Sequence, residues 1–130
     1  MIAKYYRDRN GVAPVAAYMD ALPKVARIIL NRQIARLNGL SETDPDPRFP
    51  YSSQVQGDMR ELRCHVGSML YRILYRRSRA FFVLLHMFQK QTKKIPKADI
   101  EVAESRWHDF KTRMDVLPRL GLRPLGADAP

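Results

Sequence analysis

Arginine residues stand inside segments whose other residues are typical of β-strands. Arg63 lies in an alternating run over residues 61–66, and Arg72 and Arg76 lie in an aromatic and branched run over residues 69–77. A strand arginine with apolar neighbours needs a partner, because burying an unpaired charge is energetically costly. The partner is either a carboxylate in an ion pair or an anionic ligand such as phosphate, whose oxygens fit the forked donor geometry of the guanidinium.

Arg72 is the strongest of these candidates for binding an anion. Alternation with period two places it on one strand face with Arg76, and places the apolar or aromatic residues 69, 71, 73 and 75 on the other face. Glu61 is the only acid between residues 60 and 97, so an ion pair and an anion ligand are equally supported for Arg72. Arg63 is a weaker candidate, because Glu61 lies on its own strand face and is a suitable ion-pair partner.

A second group of candidates directly follows the last predicted strand. It consists of Lys90, Thr92, Lys93 and Lys94. A basic loop between a strand and a helix can present ammonium groups, a hydroxyl and free helix amides to one phosphate. A solvated lysine run is the alternative, and composition alone favours it. In an antiparallel meander the end of the third strand lies near the start of the second, so we expect Lys90 and Lys93 to share a surface with Arg72.

Three histidines are candidates for acid–base work, because the ordinary pKa of histidine lies near about 6.5. His86 alternates with Leu84 and Phe88, so a hydrogen-bonded core histidine is at least as well supported as a catalytic one. Either role fits His65, which lies next to a hairpin, and His108 is expected at the surface of a helix. The segment is too cationic for a divalent ion and lacks paired-histidine motifs, so we expect no metal and no other cofactor.

The positive charge of the chain is concentrated in this same segment. The 130 residues carry a formal net charge of +10, and 45% of them are hydrophobic, which suits one folded domain. Residues 60–97 hold ten lysines and arginines against the single acid Glu61, so nearly all of the excess charge lies there. A folded protein with such a one-sided charge attracts polyanions.

The remaining composition limits the expected location. Cys64 is the only cysteine, which excludes an intramolecular disulfide framework, and its alternation with Leu62 and Val66 indicates core packing. The N-terminal residues do not resemble a secretory signal, and the longest apolar run, residues 80–85, is too short to cross a bilayer. We therefore expect a cytoplasmic protein that makes no contact with a membrane.

Periodicity predicts one α+β domain over residues 1–117. The second of two N-terminal helices has an apolar stripe at Ala26, Leu30, Ile34 and Leu37, and a C-terminal helix that begins near Pro96 has another. Both stripes need a sheet to pack against. Residues 118–130 are expected to form a loosely held tail. The predicted strands are residues 3–6, 61–66, 69–77 and 81–88, and the predicted N-terminal helices are residues 15–21 and 23–38.

Three sequence motifs together resemble a known family. They are M-R-E-L-R-C at residues 59–64, L-Y-R-I-L-Y at residues 70–75 and V-L-L-H-M-F-Q-K-Q-T-K-K-I-P at residues 83–96. In this order and spacing they resemble the phage-derived, HigB-like branch of the RelE/ParE toxin superfamily. The resemblance implies a small RelE-like fold, in which N-terminal helices pack on an antiparallel sheet of three to four strands and a C-terminal helix follows.

The resemblance also implies an activity. Its members are toxins of type II toxin–antitoxin pairs, neutralised by a helix-turn-helix antitoxin, and catalytic members cut mRNA in the ribosomal A site by attack of the ribose 2′-hydroxyl, without a metal. Arg72 would bind the scissile phosphate, Lys90 and Lys93 would stabilise charge or position the RNA backbone, and His86 matches the family histidine. The further RNA or phosphate ligands that we expect are Arg60, Arg63, Arg76, Thr92 and Lys94.

The chain departs from the family pattern at three positions, and two other functions remain open. Gln91 replaces a frequent second lysine, Met87 replaces a common glycine, and Ile95 replaces the threonine that usually caps the helix before proline. Some superfamily members inhibit DNA gyrase by binding and cut nothing. The alternatives to an mRNA endonuclease are therefore a ParE-like gyrase inhibitor and a plain RNA-binding module.

Overall fold

The computed structural model describes residues 1–91 and 93–116, and its architecture is the predicted α+β class. Thr92 and the predicted tail at residues 118–130 lie outside the described residues. In chain order the elements are β1 (Ile2–Tyr5), α1 (Pro14–Asp20), α2 (Lys24–Asn38), β2 (Ser52–Gln56), β3 (Met59–Val66), β4 (Met69–Ser78), β5 (Phe81–Gln89), α3 (Lys97–Lys111) and a π-helical turn at Thr112–Val116.

The five strands form one mixed sheet in the order β1–β5–β4–β3–β2. Strands β2 to β5 are an antiparallel meander, as predicted for the last three of them, and β1 is added parallel to β5. The sheet therefore has more than the three to four strands predicted and is not purely antiparallel. The missed strand is β2, because its sequence S-S-Q-V-Q lacks apolar alternation, as suits an edge strand with solvent on its outer side.

A tight turn at Gly67 sets the register of the two strands that carry the arginines. The two-residue connection between β3 and β4 begins with Gly67, whose φ of 59° lies in the left-handed region that glycine adopts without strain. The resulting register places Arg63 directly opposite Arg72. The turn thus fixes the spacing of the candidate site.

Helices cover both faces of the sheet, which gives the domain two hydrophobic cores. Helices α1 and α2 pack on the face that carries Tyr71, Ile73 and Tyr75 of β4, and α3 packs on the face that carries Leu74. The predicted stripe of α2 is buried in the first core, and the predicted stripe of the C-terminal helix contributes to the second. Both stripe predictions are confirmed, and Arg72 belongs to the face that α3 covers.

One carboxylate, that of Asp109, holds the C-terminal half of α3. It accepts hydrogen bonds from Oη of Tyr6 at 2.6 Å, Nε of Arg9 at 2.9 Å and Nη2 of Arg113 at 2.6 Å. Arg113 also donates to the carbonyl of Arg7, so the segment after β1 is tied to the end of α3. Burial raises the pKa of Asp109, but the three hydrogen bonds outweigh burial, and the net effect lowers the pKa.

The Asp109→Asn variant is expected to lose about 1–3 kcal/mol of unfolding free energy, because hydrogen bonds to an ionised acceptor become weaker neutral ones. The pKa of Asp109 is lower in the folded chain than in the unfolded chain, so its stabilisation is present above the unfolded value of about 3.9 and is lost as pH falls through the folded value. Urea unfolding of both proteins at neutral pH and at about pH 3 measures this. The difference in unfolding free energy between wild type and Asp109→Asn should be smaller at about pH 3 than at neutral pH. A difference that stays constant or grows in acid contradicts the role assigned to Asp109.

Candidate functional site

The register of β3, β4 and β5 brings Arg63, Arg72 and Lys90 to one end of the sheet, with Arg63 and Arg72 on the face that α3 covers. Arg63 lies opposite Arg72, and Arg72 lies opposite Phe88. Nearer the end of the sheet, the amide of Lys90 donates to the carbonyl of Leu70 at 2.8 Å. The end of β5 therefore lies beside the start of β4, as predicted, and Lys90 is close to the arginine pair.

Arg72 is buried in an ion pair with Glu61. The Arg72 side chain is 2% exposed, and its Nε lies 3.4 Å from Oε2 of Glu61. Its Nη1 donates to the carbonyl of Tyr71 at 3.1 Å. Burial lowers the pKa of Arg72, and the charge of Glu61 opposes that shift. Of the two alternatives for Arg72, the structure shows the ion pair, and in this conformation its guanidinium is shielded from solvent.

Glu61 serves a second guanidinium as well. Its Oε1 accepts hydrogen bonds from Nη1 of Arg63 at 3.1 Å and from Oγ of Ser53 at 2.8 Å. The predicted pairing of Arg63 with Glu61 is confirmed. Two guanidinium groups thus share one carboxylate, and the cluster keeps a net positive charge. The Arg63 side chain is 21% exposed, so it is the guanidinium of this cluster that a ligand reaches from solvent.

His65 and Lys90 lie at the same end of the sheet, and Lys93 and Lys94 follow in the loop after β5. His65 follows Arg63 by two residues on β3, so it lies on the same strand face, and it is exposed. Its backbone is hydrogen-bonded to the side chain of Gln33, while its ring makes no hydrogen bond within the described residues. Lys90 is half-buried, and Lys93 is exposed in the loop before α3, as is Lys94. We call Arg63, Lys90 and Lys93 the cationic surface, with His65 beside Arg63 on the same strand face.

The structure separates Arg60 and Arg76 from the cationic surface. Arg60 lies on the opposite face of β3, where its Nε donates to Oγ of Ser52 at 3.2 Å. Arg76 lies over the ring of Trp107, 4.4 Å from the centroid, and pairs with Asp58 at 3.4 Å. These two arginines have structural partners of their own, and their role as RNA ligands stays a prediction.

A β-bulge in β5 turns His86 toward α3. Leu74 pairs with His86 but Tyr75 pairs with Leu84, so the regular alternation breaks at this point. Leu84 packs on the α1 and α2 face, whereas His86 stacks on the ring of Phe88, with centroids 5.6 Å apart, on the α3 face. The expectation that His86 shares a face with Leu84 is therefore wrong, because it assumed an unbroken period of two.

Both ring nitrogens of His86 are occupied by α3. Nδ1 lies 3.1 Å from Nη1 of Arg106, and Nε2 lies 2.7 Å from Oδ1 of Asp99. Arginine only donates, so Nδ1 accepts, and Nε2 carries the proton donated to Asp99. In this arrangement His86 has no free lone pair for a substrate proton. Sequence reasoning missed Asp99 and Arg106; the signal for them is their seven-residue spacing, which places both on one face of a helix.

The comparison with protein families shows which family this chain belongs to. The model of the phage-derived Gp49-like proteins (DUF891) matches residues 17–108, from α1 through most of α3. The chain belongs to the Gp49-like family. This family is toxin-like and related to the RelE-type toxins of the RelE/ParE superfamily, which agrees with the resemblance at that level. A comparison with curated proteins finds no match.

Metal ligands, helix hydropathy and the single cysteine also bear on what the Gp49-like chain can do. Within residues 1–91 and 93–116, no group of three or more His, Cys, Asp or Glu residues is placed to hold a metal ion, and no helix is long and apolar enough to span a membrane. Cys64 is buried in the core, as predicted, and burial raises the pKa of its thiol to about 12. That thiol is therefore a packing group and a poor nucleophile.

In the Gp49-like chain, Glu61→Ala is expected to lower the free energy of unfolding by about 3–5 kcal/mol, because it leaves the buried charge of Arg72 without its partner. Arg72→Met is expected to cost only about 1–2 kcal/mol, because Glu61 keeps Arg63 and Ser53. Denaturant titration followed by circular dichroism measures both losses.

Asp58→Ala is the matched control for this comparison. It removes a carboxylate that is 89% exposed, with Arg76 as its partner, and is expected to change stability by less than about 1 kcal/mol. If Glu61→Ala costs no more than Asp58→Ala, the buried pair does not stabilise the sheet as described.

Proposed function

We propose that this chain is the toxin of a type II toxin–antitoxin pair and that it cuts mRNA on the ribosome without a metal ion. Membership of a toxin-like family related to RelE-type toxins supports the class of protein. The observation that carries the proposed activity is the cluster at one end of the sheet, in which Arg63 and Arg72 share Glu61 and keep a net positive charge. Neighbouring strands hold these groups rigidly, as a catalytic surface requires.

The proposed reaction is attack of a ribose 2′-hydroxyl on the adjacent phosphate. The bond from the 2′-oxygen to phosphorus forms while the bond from phosphorus to the 5′-oxygen breaks, which leaves a 2′,3′-cyclic phosphate and a 5′-hydroxyl. Negative charge accumulates on the phosphoryl oxygens in the transition state, and fixed cations stabilise it. We assign Arg63 and Lys90 to these oxygens, and Lys93 to the RNA backbone.

Proton transfer falls to His65 in this proposal. His86 has both ring nitrogens engaged by α3, so it positions the start of that helix. His65 is exposed on the same strand face as Arg63, and its ring is available among the described residues. His65 takes the proton of the 2′-hydroxyl, and the leaving 5′-oxygen takes a proton from water. The hydroxide that remains takes the proton back from His65, which restores water and the neutral imidazole.

Arg72 acts through Glu61 in the conformation described. Its guanidinium neutralises the shared carboxylate, which leaves the charge of Arg63 available to a phosphate. The role that the family resemblance implies, direct binding of the scissile phosphate by Arg72, requires RNA to open the Arg72–Glu61 pair. Arg72 is therefore a positioning residue in the closed pair and a phosphate ligand in the open one.

The partners proposed for this toxin are a helix-turn-helix antitoxin, which neutralises it, and the ribosome with its bound mRNA, in the cytoplasm. The one-sided charge of residues 60–97 supports a polyanionic target. Counterion release makes such binding strongly dependent on salt, so RNA affinity should fall steeply as ionic strength rises.

A non-enzymatic inhibitor of DNA gyrase is the second candidate. The observation that favours it is the engagement of both ring nitrogens of His86, the histidine that matches the family motif. A protein that only binds its target needs no free general base. Inhibition of supercoiling by a purified protein that cuts no RNA in a translating extract would select this candidate.

Arg63→Gln and Lys90→Gln are each expected to slow mRNA cleavage about 100-fold, because each removes a fixed charge from the transition state. Primer extension on mRNA from a translating extract measures the rate. Arg32→Gln is the matched control, since Arg32 is an exposed cation on α2, which packs on the other face of the sheet. If all three variants cut at the wild-type rate, the cationic surface is not the cleavage site.

A further inference from the structure

Phe49 is the most exposed large apolar side chain in the described part of the chain, at 71%. It is presented by a closed turn, since the amides of Tyr51 and Ser52 both donate to the carbonyl of Arg48, at 3.0 and 3.2 Å. The carbonyl of Tyr51 accepts from the amide of Arg63 at 2.8 Å, which joins this turn to the edge of the sheet. At this exposure the ordered turn holds most of the apolar ring in water, and a ring presented in this way suits a ligand.

The ring of Phe49 ends a continuous chain of contacts that starts at the buried ion pair. The guanidinium carbon of Arg63 lies 4.8 Å from the ring centroid of Phe49. Arg63 pairs with Glu61, and Glu61 pairs with Arg72. The guanidinium covers one side of the ring, and the high exposure of Phe49 leaves the rest of the ring open to solvent.

The chemistry around this ring favours an unpaired nucleobase over an apolar protein segment. Arg48 precedes Phe49, His65 shares a strand face with Arg63, and Lys90 follows β5 at the same end of the sheet. A flat apolar ring beside cations is the pattern that binds single-stranded nucleic acid, in which bases stack on aromatic rings and phosphates meet the cations. Residues 60–97 contain one acid, and two arginines already engage it. The loop before Phe49 carries Glu42, Asp44 and Asp46, of which Asp46 pairs with Arg60 and Arg77. We therefore expect an anionic strand on the side of Phe49 that faces Arg63.

We propose that Phe49 is a stacking platform for one unpaired base of an RNA strand whose phosphates contact the cationic surface. The proposal rests on the proposed function only in taking RNA as the ligand, and it requires no cleavage. It assigns Phe49 a positioning role: the stacked base sets which phosphate lies against Arg63.

The test uses the full chain and a short single-stranded RNA that carries 2-aminopurine, whose fluorescence falls when it stacks. Phe49→Ala is expected to weaken RNA binding about 5- to 100-fold and to abolish the quenching at one position. Phe49→Trp keeps a stacking surface and is expected to retain affinity. Tyr51→Ala is the matched control, because Tyr51 is also an exposed ring, covered by Arg36 at 4.2 Å, on the α2 side of the sheet.

Salt dependence separates stacking from charge. The slope of log affinity against log salt is expected to stay unchanged in Phe49→Ala and to fall by about one in Arg63→Gln, which removes a phosphate contact. An RNA that lacks the stacked base should bind wild type and Phe49→Ala equally well.

Unchanged RNA affinity and unchanged quenching in Phe49→Ala would overturn the proposal, and so would an equal loss in Tyr51→Ala. Because binding is measured without cleavage, these outcomes are separate from failure of the proposed function. If Phe49→Ala binds RNA normally while Arg63→Gln cuts mRNA slowly, the proposed cleavage site is supported and the stacking role of Phe49 is wrong. If RNA binding is unchanged and Phe49→Ala instead weakens binding of the antitoxin, Phe49 belongs to a protein interface and the platform is wrong.

Discussion

The carboxylate of Glu61 is the constraint on which the candidate site depends. It is the only acid within residues 60–97, it is buried, and two guanidinium groups and one hydroxyl bind it. Without it, Arg72 would be an unpaired charge in the middle of a sheet. Burying such a charge costs more free energy than the packing of one strand residue contributes. With it, Arg72 is buried and Arg63 carries the surplus charge to the surface. The pairing that allows Arg72 to be buried thus leaves a positive charge at one place on the surface of the sheet.

Helix α3 frames this site because polar contacts hold it at both ends. Asp99 near its start binds His86, and Asp109 near its end binds Tyr6, Arg9 and Arg113. The helix covers the apolar part of the sheet and leaves the end of β3 and the start of β4 beside the loop that carries Lys93. A site built on strands and bordered by a fixed helix keeps its backbone in place even where a ligand rearranges side chains, and such a fixed frame suits stabilisation of charge in a transition state.

Much of this arrangement could be predicted from the sequence, because apolar periodicity and charge pairing between near neighbours can be recognised within a short stretch of chain. The stripes of α2 and the C-terminal helix, the meander of β3 to β5 and the Glu61–Arg63 pair were all predictable from spacing along one element. The rest depends on contacts between elements. In the conformation described, Arg72 pairs with Glu61 of the neighbouring strand, a contact that spacing along β4 alone does not reveal. The face on which His86 lies is set by a bulge in β5 that alternation does not reveal. β2 was missed because its polar residues lie at an exposed edge, and the predicted tail lies beyond the described residues.

We propose that the cationic surface directs a 2′-hydroxyl to the neighbouring phosphate of mRNA. The chemistry of the RNA ends, determined after the protein is induced in growing cells, tests this proposal. We expect new cuts within translated mRNA whose upstream fragments end in a 2′,3′-cyclic phosphate and whose downstream fragments begin with a 5′-hydroxyl. Growth arrest with intact mRNA, or cuts that leave a 5′-phosphate, would contradict it.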